Sequence, residues 1–389
     1  MFKANVGTSI LANANMAGKE AAQKAKEGLD SIKMAFVYGS CVYDVEAMVE
    51  GVREELGGVP LIGNTSFTGV ITPEGYIASD DGFAGVMAFS DDKMAVGVAA
   101  AKRGSSPFED GVALAKEAMK AAGRDDAPAY FYMTASPAEE EFYLKGISSV
   151  IGRVPFFGGS AADNSIAGEW KLYTDKECFA DGVAVAFFYD APVATNLFTG
   201  EYRETENFGV ITKIDGDRTL VEIDGVPAVK KYMEWSGCSE EQLMGGNLLV
   251  TTITAPLGVK DRLGDVTAIR HPMNGNDDYS MAVGNNLAEK TCVIRMEATV
   301  DELIDSTGKV LKELIAKMPG KPLAFHLVHC GGRRAGIGDR IEEVTEQIKS
   351  AAGDIPFIVE FTFGEYGFES DNNNTCGGLM LSFTGFSEN

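Results

Sequence analysis

The stretch Val59-Pro60-Leu61-Ile62-Gly63 constrains the fold of this chain most, because it occurs twice. The stretch Val154-Pro155-Phe156-Phe157-Gly158 repeats its valine, proline and glycine 95 positions later. Apolar runs precede and follow both copies. A repeat of this length is typical of one supersecondary unit that a chain uses twice. We therefore predict two such units, at about 34–89 and 129–188.

Each unit has the pattern of a strand, a helix, a second strand and a meander. Asp44 is a candidate N-cap for the first helix, which Gly57-Gly58 would end. Ser136-Pro137-Ala138-Glu139 predicts the start of the second helix. Strand-helix-strand units that carry antiparallel meanders form mixed sheets. The sequence therefore predicts an α/β fold with mixed sheets.

The rest of the chain predicts a second domain. A segment without strong periodicity near 190–205 suggests the boundary, so we predict domains of 1–195 and 196–389. Alternation around Asp215-Gly216-Asp217 predicts a hairpin. Ile355-Pro356-Phe357 marks a third, looser copy of the opening unit. Between these features we predict strands near 247–253, 265–271, 278–284 and 291–297, and a helix over 301–317.

Composition and charge exclude several classes of function. The chain has 389 residues, of which 45% are hydrophobic and 23% charged, as in ordinary globular proteins. A formal net charge of −23 argues against nucleic-acid or anionic-membrane partners, whose phosphates would be repelled. No window gives about 18 uninterrupted apolar residues, so we predict neither a signal peptide nor a membrane span. Six scattered cysteines without a CxxC pair favour reduced thiols and a cytoplasmic protein.

The common catalytic and metal-binding motifs are absent from the sequence. It contains no GxSxG elbow, Walker loop, HExxH motif or Rossmann fingerprint. The chain has three histidines, which leave few options for a base or a metal ligand. His326 and Cys330 fall on one face of a predicted strand, and His329 falls on the other. We therefore predict no catalytic residue and no metal site.

Polar residues that follow predicted strand ends in the third unit are the main candidates for a ligand site. Arg333 could hold a carboxylate in bidentate fashion. Glu365, with Asn374 and Thr375, could hold an ammonium group. Open α/β sheets bind ligands at such strand ends. From composition alone, a structural arginine–glutamate pair beside an asparagine-rich turn is the stronger interpretation.

In their order and spacing, several short motifs resemble the FIST family, a two-part sensory domain of bacterial signalling proteins. The N-terminal half is represented by Tyr43-Asp44, Val59–Gly63, Gly158–Asp163 and Asp181–Val185. The C-terminal half is represented by Glu222–Ala228, Cys330 with Arg333, and Gly364-Glu365 followed by Asn374-Thr375. The resemblance covers nearly the whole chain.

The resemblance implies small-ligand sensing, with amino acids or their metabolites as the ligand class, and some members are haem-based nitric oxide sensors. The sequence carries no kinase, cyclase or methyl-accepting segment, so any signal would pass to a separate partner protein. No histidine lies between Glu365 and Cys376, where a haem ligand would fit the candidate pocket best. We therefore predict no cofactor. Haem stays an alternative, because His271 or His329 could still serve as its ligand.

Our leading hypothesis is a cytoplasmic sensor that binds a small polar metabolite, for example an amino acid, between its two halves. A ligand that bridges both halves would favour the closed population. The predicted ligand contacts are Arg333, Glu365, Asn374, Thr375 and Cys330. The cleft would also present short side chains and exposed amides to the ligand, at Gly63, Ser66, Gly158, Ser160 and Asp163. The alternative from another class is an enzyme that uses Cys330 or Cys41 as an activated thiolate near a helix N-terminus.

Overall fold

The computed structural model describes residues 1–260, 267–368 and 374–388. In this part of the chain, three mixed six-stranded sheets share one core, and pairs of helices pack on their outer faces. The α/β class with mixed sheets is therefore confirmed. Among the helices described, none combines the length and the apolar character needed to cross a bilayer.

The first unit begins at the N-terminus. Its elements are β1 (Lys3–Ser9), α1 (Ala14–Lys26), β2 (Ile32–Gly39), α2 (Val45–Leu56), β3 (Leu61–Thr65), β4 (Val70–Thr72), β5 (Gly75–Ile77) and β6 (Ala84–Ser90). The predicted cap of α2 is confirmed, because Asp44 Oδ1 accepts a hydrogen bond from the Ala47 amide at 3.1 Å. Gly57 ends α2 at a φ of 65°, in the left-handed region that glycine adopts without a steric penalty.

The second unit follows directly. Its elements are β7 (Ala95–Lys102), α3 (Pro107–Ala121), β8 (Tyr130–Ala135), α4 (Glu140–Ile151), β9 (Phe156–Ser160), β10 (Leu172–Thr174), β11 (Cys178–Phe179) and β12 (Gly182–Tyr189). The predicted N-cap of α4 is wrong, because the helix begins only at Glu140. Ala138 has a φ of 109°, which no helix accommodates, and the Ser136 hydroxyl instead accepts from the Gly182 amide at 3.0 Å.

The third unit opens with β13 (Val193–Thr199) and is then interrupted by an inserted region. The insertion contains β14 (Arg203–Asp215), β15 (Thr219–Ile223), β16 (Val226–Pro227), α5 (Ala228–Ser236), α6 (Glu240–Leu243), α7 (Asn247–Thr251), β17 (Leu257–Lys260), β18 (Thr267–Arg270), β19 (Pro272–Gly275), β20 (Met281–Val283) and β21 (Cys292–Glu297). Its strands form a fourth sheet, in the order β18-β17-β21-β14-β15-β20-β19, and β16 pairs with β15.

Two predictions about the insertion have clear outcomes. The hairpin around Asp215-Gly216-Asp217 is confirmed by the antiparallel pairing of β14 with β15. The strand predicted near 247–253 is wrong, because these residues contain α7, and a short apolar run does not distinguish a strand from a helix. Residues 265 and 266 of another predicted strand lie outside the described residues.

The third unit resumes after the insertion. Its elements are α8 (Val300–Lys317), β22 (Pro322–Cys330), α9 (Gly331–Ile337), a 3₁₀ turn (Gly338–Arg340), α10 (Ile341–Ala352), β23 (Phe357–Thr362), β24 (Glu365–Phe368), β25 (Asn374–Gly377) and β26 (Leu381–Ser387). A capping box begins α8, in which Thr299 accepts from the Glu302 amide and the Glu302 side chain accepts from the Thr299 amide.

The three central sheets have equivalent strand orders. They are β1-β6-β2-β3-β10-β11 in the first sheet, β7-β12-β8-β9-β24-β25 in the second and β13-β26-β22-β23-β4-β5 in the third. The pairs β2–β3, β8–β9 and β22–β23 are parallel. The internal repeat of the sequence and the division into domains at about residue 195 stay predictions.

Each sheet ends in a hairpin that another unit supplies. The β4–β5 hairpin follows β3 in the chain but pairs with β23 of the third sheet. The β10–β11 hairpin follows β9 but pairs with β3, and β24–β25 follows β23 but pairs with β9. The exchange is therefore cyclic, and every central sheet contains strands from two units.

Candidate functional site

Arg333 lies in the protein core. It is fully buried on α9, and its Nη1 donates to the Gly200 carbonyl at 2.6 Å. Its Nη2 donates to the Leu303 carbonyl at 3.1 Å and to the Ser306 hydroxyl at 2.5 Å. Both terminal nitrogens are thus occupied by groups of α8 and of the segment after β13. The geometry supports a structural role for this guanidinium.

Glu365 and Cys330 lie near Arg333 but form no ion pair with it in the described part of the chain. Glu365 Oε1 accepts from the Thr362 hydroxyl at 2.9 Å, and Oε2 accepts from the Met380 amide at 2.8 Å. Burial raises the pKa of Glu365 to about 8, so the carboxyl group is mostly protonated at neutral pH. Arg333 and Glu365 are therefore not a paired anchor for a zwitterionic ligand.

The two cysteines considered as nucleophiles are not activated. Cys330 caps α9, and its Sγ accepts from the amides of Gly332 and Leu379, each at 3.2 Å. Burial nevertheless raises its pKa well above the ordinary value of a thiol. Burial also raises the pKa of Cys41. The expected lowering of the thiol pKa by a helix N-terminus is absent at both positions.

The two glycines predicted to line a cleft lie at close strand contacts. A Cβ atom added to Gly63 would come within 1.7 Å of the Val37 carbonyl oxygen of β2. One added to Gly158, which has a φ of 135°, would come within 1.9 Å of the Met133 carbonyl oxygen of β8. Only glycine lets the strands approach this closely at these two positions. Both glycines therefore shape the sheets.

The polar residues of the same group are buried and hydrogen-bonded. Ser66 Oγ donates to the Gly69 carbonyl at 2.7 Å, and the Ser160 hydroxyl lies 2.7 Å from the Tyr366 hydroxyl. Asp163 accepts hydrogen bonds from five backbone amides, those of residues 165–169. Its carboxylate therefore organises the loop that precedes β10.

The imidazoles of all three histidines are enclosed by protein. His271 Nε2 lies 2.9 Å from the Leu249 carbonyl oxygen, and burial lowers the His271 pKa to about 4. The ring of His329 packs against Phe361 with 5.3 Å between ring centroids, and its pKa is lowered by burial to about 3. An axial bond from either residue to haem would require the imidazole to leave the core. The residues present do not fit a haem group.

A cluster of buried polar side chains joins the three central sheets. Asn64 Nδ2 donates to Glu360 Oε2 at 2.9 Å, and the Tyr132 hydroxyl donates to Glu360 Oε1 at 3.1 Å. The Tyr38 hydroxyl lies 2.5 Å from His326 Nε2. We call this set the central polar cluster; its members, all less than 1% exposed, are Tyr38, Asn64, Tyr132, Thr134, His326 and Glu360.

Burial controls the ionisation of the central polar cluster. It raises the pKa of Glu360 to about 8, although hydrogen bonds from Asn64 and Tyr132 oppose the shift. It lowers the pKa of His326 to about 3. At neutral pH both groups are therefore predominantly uncharged. Asn64 Oδ1 and His326 Nδ1 have no hydrogen-bond partner among the described residues.

A cavity of about 470 Å³ opens between α4 and the C-terminal half of the chain. Side chains of both halves, with charged or polar ends, line it: Glu141, Lys145 and Ser148 of α4, Arg153 after α4, Arg270 of β18, Asn286, and Asn374 and Thr375 of β25. Two residues predicted from the sequence, Asn374 and Thr375, thus lie in a cavity between the halves.

Arg270 brings a positive charge to this cavity. Its Nε donates to the Asn286 carbonyl at 3.1 Å, and its Nη1 donates to the carbonyls of Ile269 at 3.2 Å and Cys376 at 3.4 Å. Within the described residues, no carboxylate lies within 4.0 Å of its guanidinium. Burial lowers the Arg270 pKa. Among the described residues, its hydrogen-bond acceptors are all neutral carbonyls, and Glu141 acts on it as a nearby charge without an ion pair.

Asn374 places an unused acceptor at the same cavity. Its Nδ2 donates to the Val154 carbonyl at 2.9 Å, which fixes the orientation of the amide. Its Oδ1 is buried and has no donor within the part of the chain described. A buried acceptor without a donor costs about 1–3 kcal/mol. Among the described residues, the cavity therefore offers a cation without an ion-paired carboxylate and an acceptor without a donor.

Glu141 is already engaged at the rim of the cavity. Its Oε2 accepts from Arg218 Nη2 at 2.6 Å, and its Oε1 accepts from the Asn286 amide at 3.0 Å. Among the described residues, no group of three or more histidine, cysteine, aspartate or glutamate side chains is arranged to hold a metal ion.

Family models match two consecutive parts of the chain. The model described as the FIST N domain matches residues 33–226, and that described as the FIST C domain matches residues 228–367. The chain belongs to the FIST family. The resemblance found in the sequence is thereby confirmed, and FIST domains are small-ligand sensory domains of signalling proteins. The cavity lies between α4 of the FIST N region and polar residues from the C-terminal half.

Solved structures resemble this FIST protein only distantly. Cyanuric acid hydrolase from A. caulinodans is 10% identical, with all of both chains covered and a TM-score of 0.38. A chorismatase is 9% identical, with 100% of this chain and 98% of that chain covered and a TM-score of 0.36. These scores are too low to support an argument about function. No curated protein sequence is significantly similar to this chain.

Sequence reasoning missed the groups that give the FIST cavity its charge. Arg270 belongs to a strand of four residues within the insertion, and no motif surrounds it. Glu141 follows the helix start that the sequence misplaced. The signal for Asn374 and Thr375 was their position after a predicted strand end, and both residues line the cavity.

Proposed function

We propose that this FIST protein is a cytoplasmic sensor that binds a small polar metabolite in the cavity between α4 and β25, with amino acids as the ligand class. Two groups carry the proposal: the guanidinium of Arg270, which forms no ion pair with a carboxylate among the described residues, and Oδ1 of Asn374, which has no donor there. An amino acid supplies a carboxylate for the first and an N–H donor for the second. Arg270 and Asn374 replace Arg333 and Glu365 as the proposed anchors.

The position of the cavity suggests how binding becomes a signal. One wall belongs to α4 in the N-terminal half, and the opposite wall belongs to β18 and β25 in the C-terminal half. A ligand that contacts both walls favours the conformation in which they lie closest. The change in population is limited by the difference in ligand affinity between the two conformations. A separate signalling protein would then recognise the favoured conformation.

Isothermal titration calorimetry with single amino acids tests the proposal. We expect at least one to bind, and we expect the corresponding amine, which lacks the carboxylate, to bind at least tenfold more weakly. Arg270→Gln should weaken binding about 10- to 100-fold, because a hydrogen bond to a charged group contributes about 1.5–3 kcal/mol.

A surface arginine provides the matched control. Arg340→Gln removes an exposed guanidinium that pairs with Asp301 and Glu343 on another face, so it should leave the affinity unchanged. The proposal is wrong if the folded protein binds no amino acid. It is also wrong if Arg270→Gln and Arg340→Gln bind the ligand equally well.

A further inference from the structure

One face of α4 forms a wall of the cavity. The residues of this helix that line the cavity are Glu141, Leu144, Lys145 and Ser148. Their spacing places them on one side of the helix, one above the other. Because an α-helix rises about 1.5 Å per residue, Lys145 lies about 6 Å beyond Glu141 along the helix axis. The wall therefore presents a carboxylate, then an ammonium group, then a hydroxyl.

Arg270 lies near the Glu141 end of this wall. The backbone of Asn286 joins the two side chains, because its amide donates to Glu141 Oε1 at 3.0 Å and its carbonyl accepts from Arg270 Nε at 3.1 Å. Lys145 is one helical turn further along α4. The cavity therefore has cationic groups at two levels of α4, the guanidinium of Arg270 and the ammonium group of Lys145.

The ammonium group of Lys145 is not used by its own helix. Glu141 precedes it by four residues, a spacing that favours an ion pair on a helix. Glu141 instead accepts from Arg218 Nη2 at 2.6 Å and from the Asn286 amide at 3.0 Å. Lys145 Nζ lies over the ring of Phe142, 5.2 Å from its centroid. In the described part of the chain, Lys145 has no carboxylate partner.

The lining of the cavity is cationic in an acidic protein. Among the described residues that line it, Lys145, Arg153 and Arg270 carry positive charge and Glu141 carries negative charge. In the whole chain, acidic residues outnumber basic ones by 57 to 34, so this cavity has the opposite balance. Arg153 has contacts of its own, among them the Phe368 ring 4.6 Å from its guanidinium, so we do not count it as a ligand anchor.

The excess of positive charge remains when the groups behind the wall are included. Arg218 Nη2 lies 3.0 Å from Glu140 Oε2 and 2.6 Å from Glu141 Oε2, so these two carboxylates share one guanidinium. With Arg270 and Lys145, three cations then face two carboxylates even without Arg153. Burial raises the pKa of Glu140 to about 7, and its protonated form would increase the excess.

We propose that the cavity selects amino acids with two carboxylates, aspartate or glutamate, and that Lys145 determines this specificity. This inference rests on the proposed function of the cavity. Arg270 binds the α-carboxylate, and Asn374 Oδ1 accepts a hydrogen bond from the ammonium group of the ligand. Lys145 binds the side-chain carboxylate, next to the Ser148 hydroxyl on the same face of α4. The single net negative charge of such a ligand compensates the excess positive charge of the cavity.

Other amino acids fit these charges less well. A neutral amino acid leaves Lys145 without a carboxylate, and a basic amino acid adds a second cation beside it. The cavity volume of about 470 Å³ is within the range of small-molecule sites. Lys145 is exposed, so water and salt screen its attraction for the ligand. We therefore expect a moderate preference that depends on ionic strength.

Isothermal titration calorimetry with pairs of nearly isosteric amino acids tests the inference. Glutamate is compared with glutamine, and aspartate with asparagine. In at least one pair the acidic member should bind about 3- to 10-fold more tightly at low salt, because a charged pair at a partly exposed site contributes modestly. The preference should shrink as the ionic strength rises from about 0.01 M to about 0.15 M, where the Debye length is about 8 Å.

A substitution on α4 and a matched one on α8 identify the residue responsible. Lys145→Gln should reduce the preference for the acidic member to less than about twofold, because the second carboxylate loses its cation. Lys312→Gln removes an exposed lysine of α8, which does not line the cavity, and should retain the full preference. Circular dichroism of both variants checks that they are folded.

The outcomes separate this inference from the proposed function. Equal or weaker binding of the acidic members overturns the inference and leaves the proposed function intact, whereas no binding of any amino acid overturns both. A preference that persists in Lys145→Gln excludes Lys145 as the specificity residue. A preference that Lys312→Gln reduces as much as Lys145→Gln does would attribute it to the overall charge of the protein, and would likewise overturn the inference.

Discussion

At the scale of single residues, the buried carboxyl group of Glu360 decides how the centre of the molecule responds to pH. Its oxygens accept from Asn64 and Tyr132, and the nearest basic nitrogen, His326 Nε2, is 3.7 Å away. That histidine is uncharged at neutral pH because burial lowers its pKa to about 3. No cation in the described residues compensates the charge of an ionised Glu360, so the protonated form fits the core.

We predict that the contribution of Glu360 to stability decreases as pH rises. Its pKa is raised from 4.5 to about 8, so the folded protein binds this proton more tightly than the unfolded chain does. The stabilisation is full below about pH 4.5 and is lost as pH rises through 8, with a slope of up to about 1.4 kcal/mol per pH unit. Urea unfolding between about pH 5 and 9 measures the slope.

Glu360→Gln isolates this contribution. The amide of glutamine cannot ionise. The free energy of unfolding of the variant should therefore fall less steeply with pH than that of the natural protein. Glu343→Gln alters an exposed carboxylate and should leave the slope unchanged. Equal slopes for Glu360→Gln and the natural protein would show that Glu360 is already ionised in the fold.

At the scale of secondary-structure elements, glycines set the distance between paired helices. A Cβ atom on Gly51 of α2 would lie 2.1 Å from the Asn15 carbonyl oxygen of α1, and one on Gly18 of α1 would lie 2.1 Å from the Met48 carbonyl oxygen of α2. The pair α3 and α4 approaches in the same manner through Gly111 and Gly146. A side chain can change its rotamer to make room for an added methyl group, whereas the backbone atoms of a packed helix cannot.

We predict that Gly51→Ala destabilises the protein by about 1–3 kcal/mol, because the added methyl group forces α1 and α2 apart. The matched control is Gly246→Ala, where no atom lies within 4 Å of the added Cβ and φ is −65°. That control should change the free energy of unfolding by less than about 0.5 kcal/mol. Urea unfolding measures both, and equal effects of the two substitutions would refute close helix contact at Gly51.

The elements that the sequence predicted correctly are those whose signals are local. Asp44 and Gly57 bracket α2 as expected, because capping depends on the neighbouring backbone alone. Ser136 has the same local signal, but its hydroxyl accepts a hydrogen bond from the Gly182 amide, which is distant in sequence, and does not cap the helix. Arg333 satisfied the pattern of a ligand anchor, but its acceptors come from residues 200, 303 and 306, which no local pattern connects to it.

The cavity was predictable only in part for the same reason. Asn374 and Thr375 follow a predicted strand and lie at the expected boundary between the halves. Arg270 reaches that boundary because the insertion folds back onto β25, a contact that depends on tertiary structure. The neutral carbonyl acceptors that Arg270 has among the described residues are likewise a property of the assembled core.

At the scale of the whole molecule, the exchange of hairpins links all three units into one cooperative structure. The third sheet, in the C-terminal half, needs β4–β5 from the N-terminal half. The second sheet, in the N-terminal half, needs β24–β25 from the C-terminal half. A unit that unfolds therefore removes strands from its neighbours and exposes their edges to solvent. Such coupling favours a single unfolding transition.

We predict that neither residues 1–195 nor residues 196–389 fold alone, because each fragment leaves an edge strand, β9 or β23, without its partner hairpin. Each fragment should lack a cooperative unfolding transition, measured by circular dichroism during urea titration. Co-expression of both fragments should restore one complex with a single transition, because the exchanged hairpins then find their sheets. A monomeric fragment that unfolds cooperatively by itself would show that the exchange contributes little to the stability of that half, and that the two halves are independent folding units.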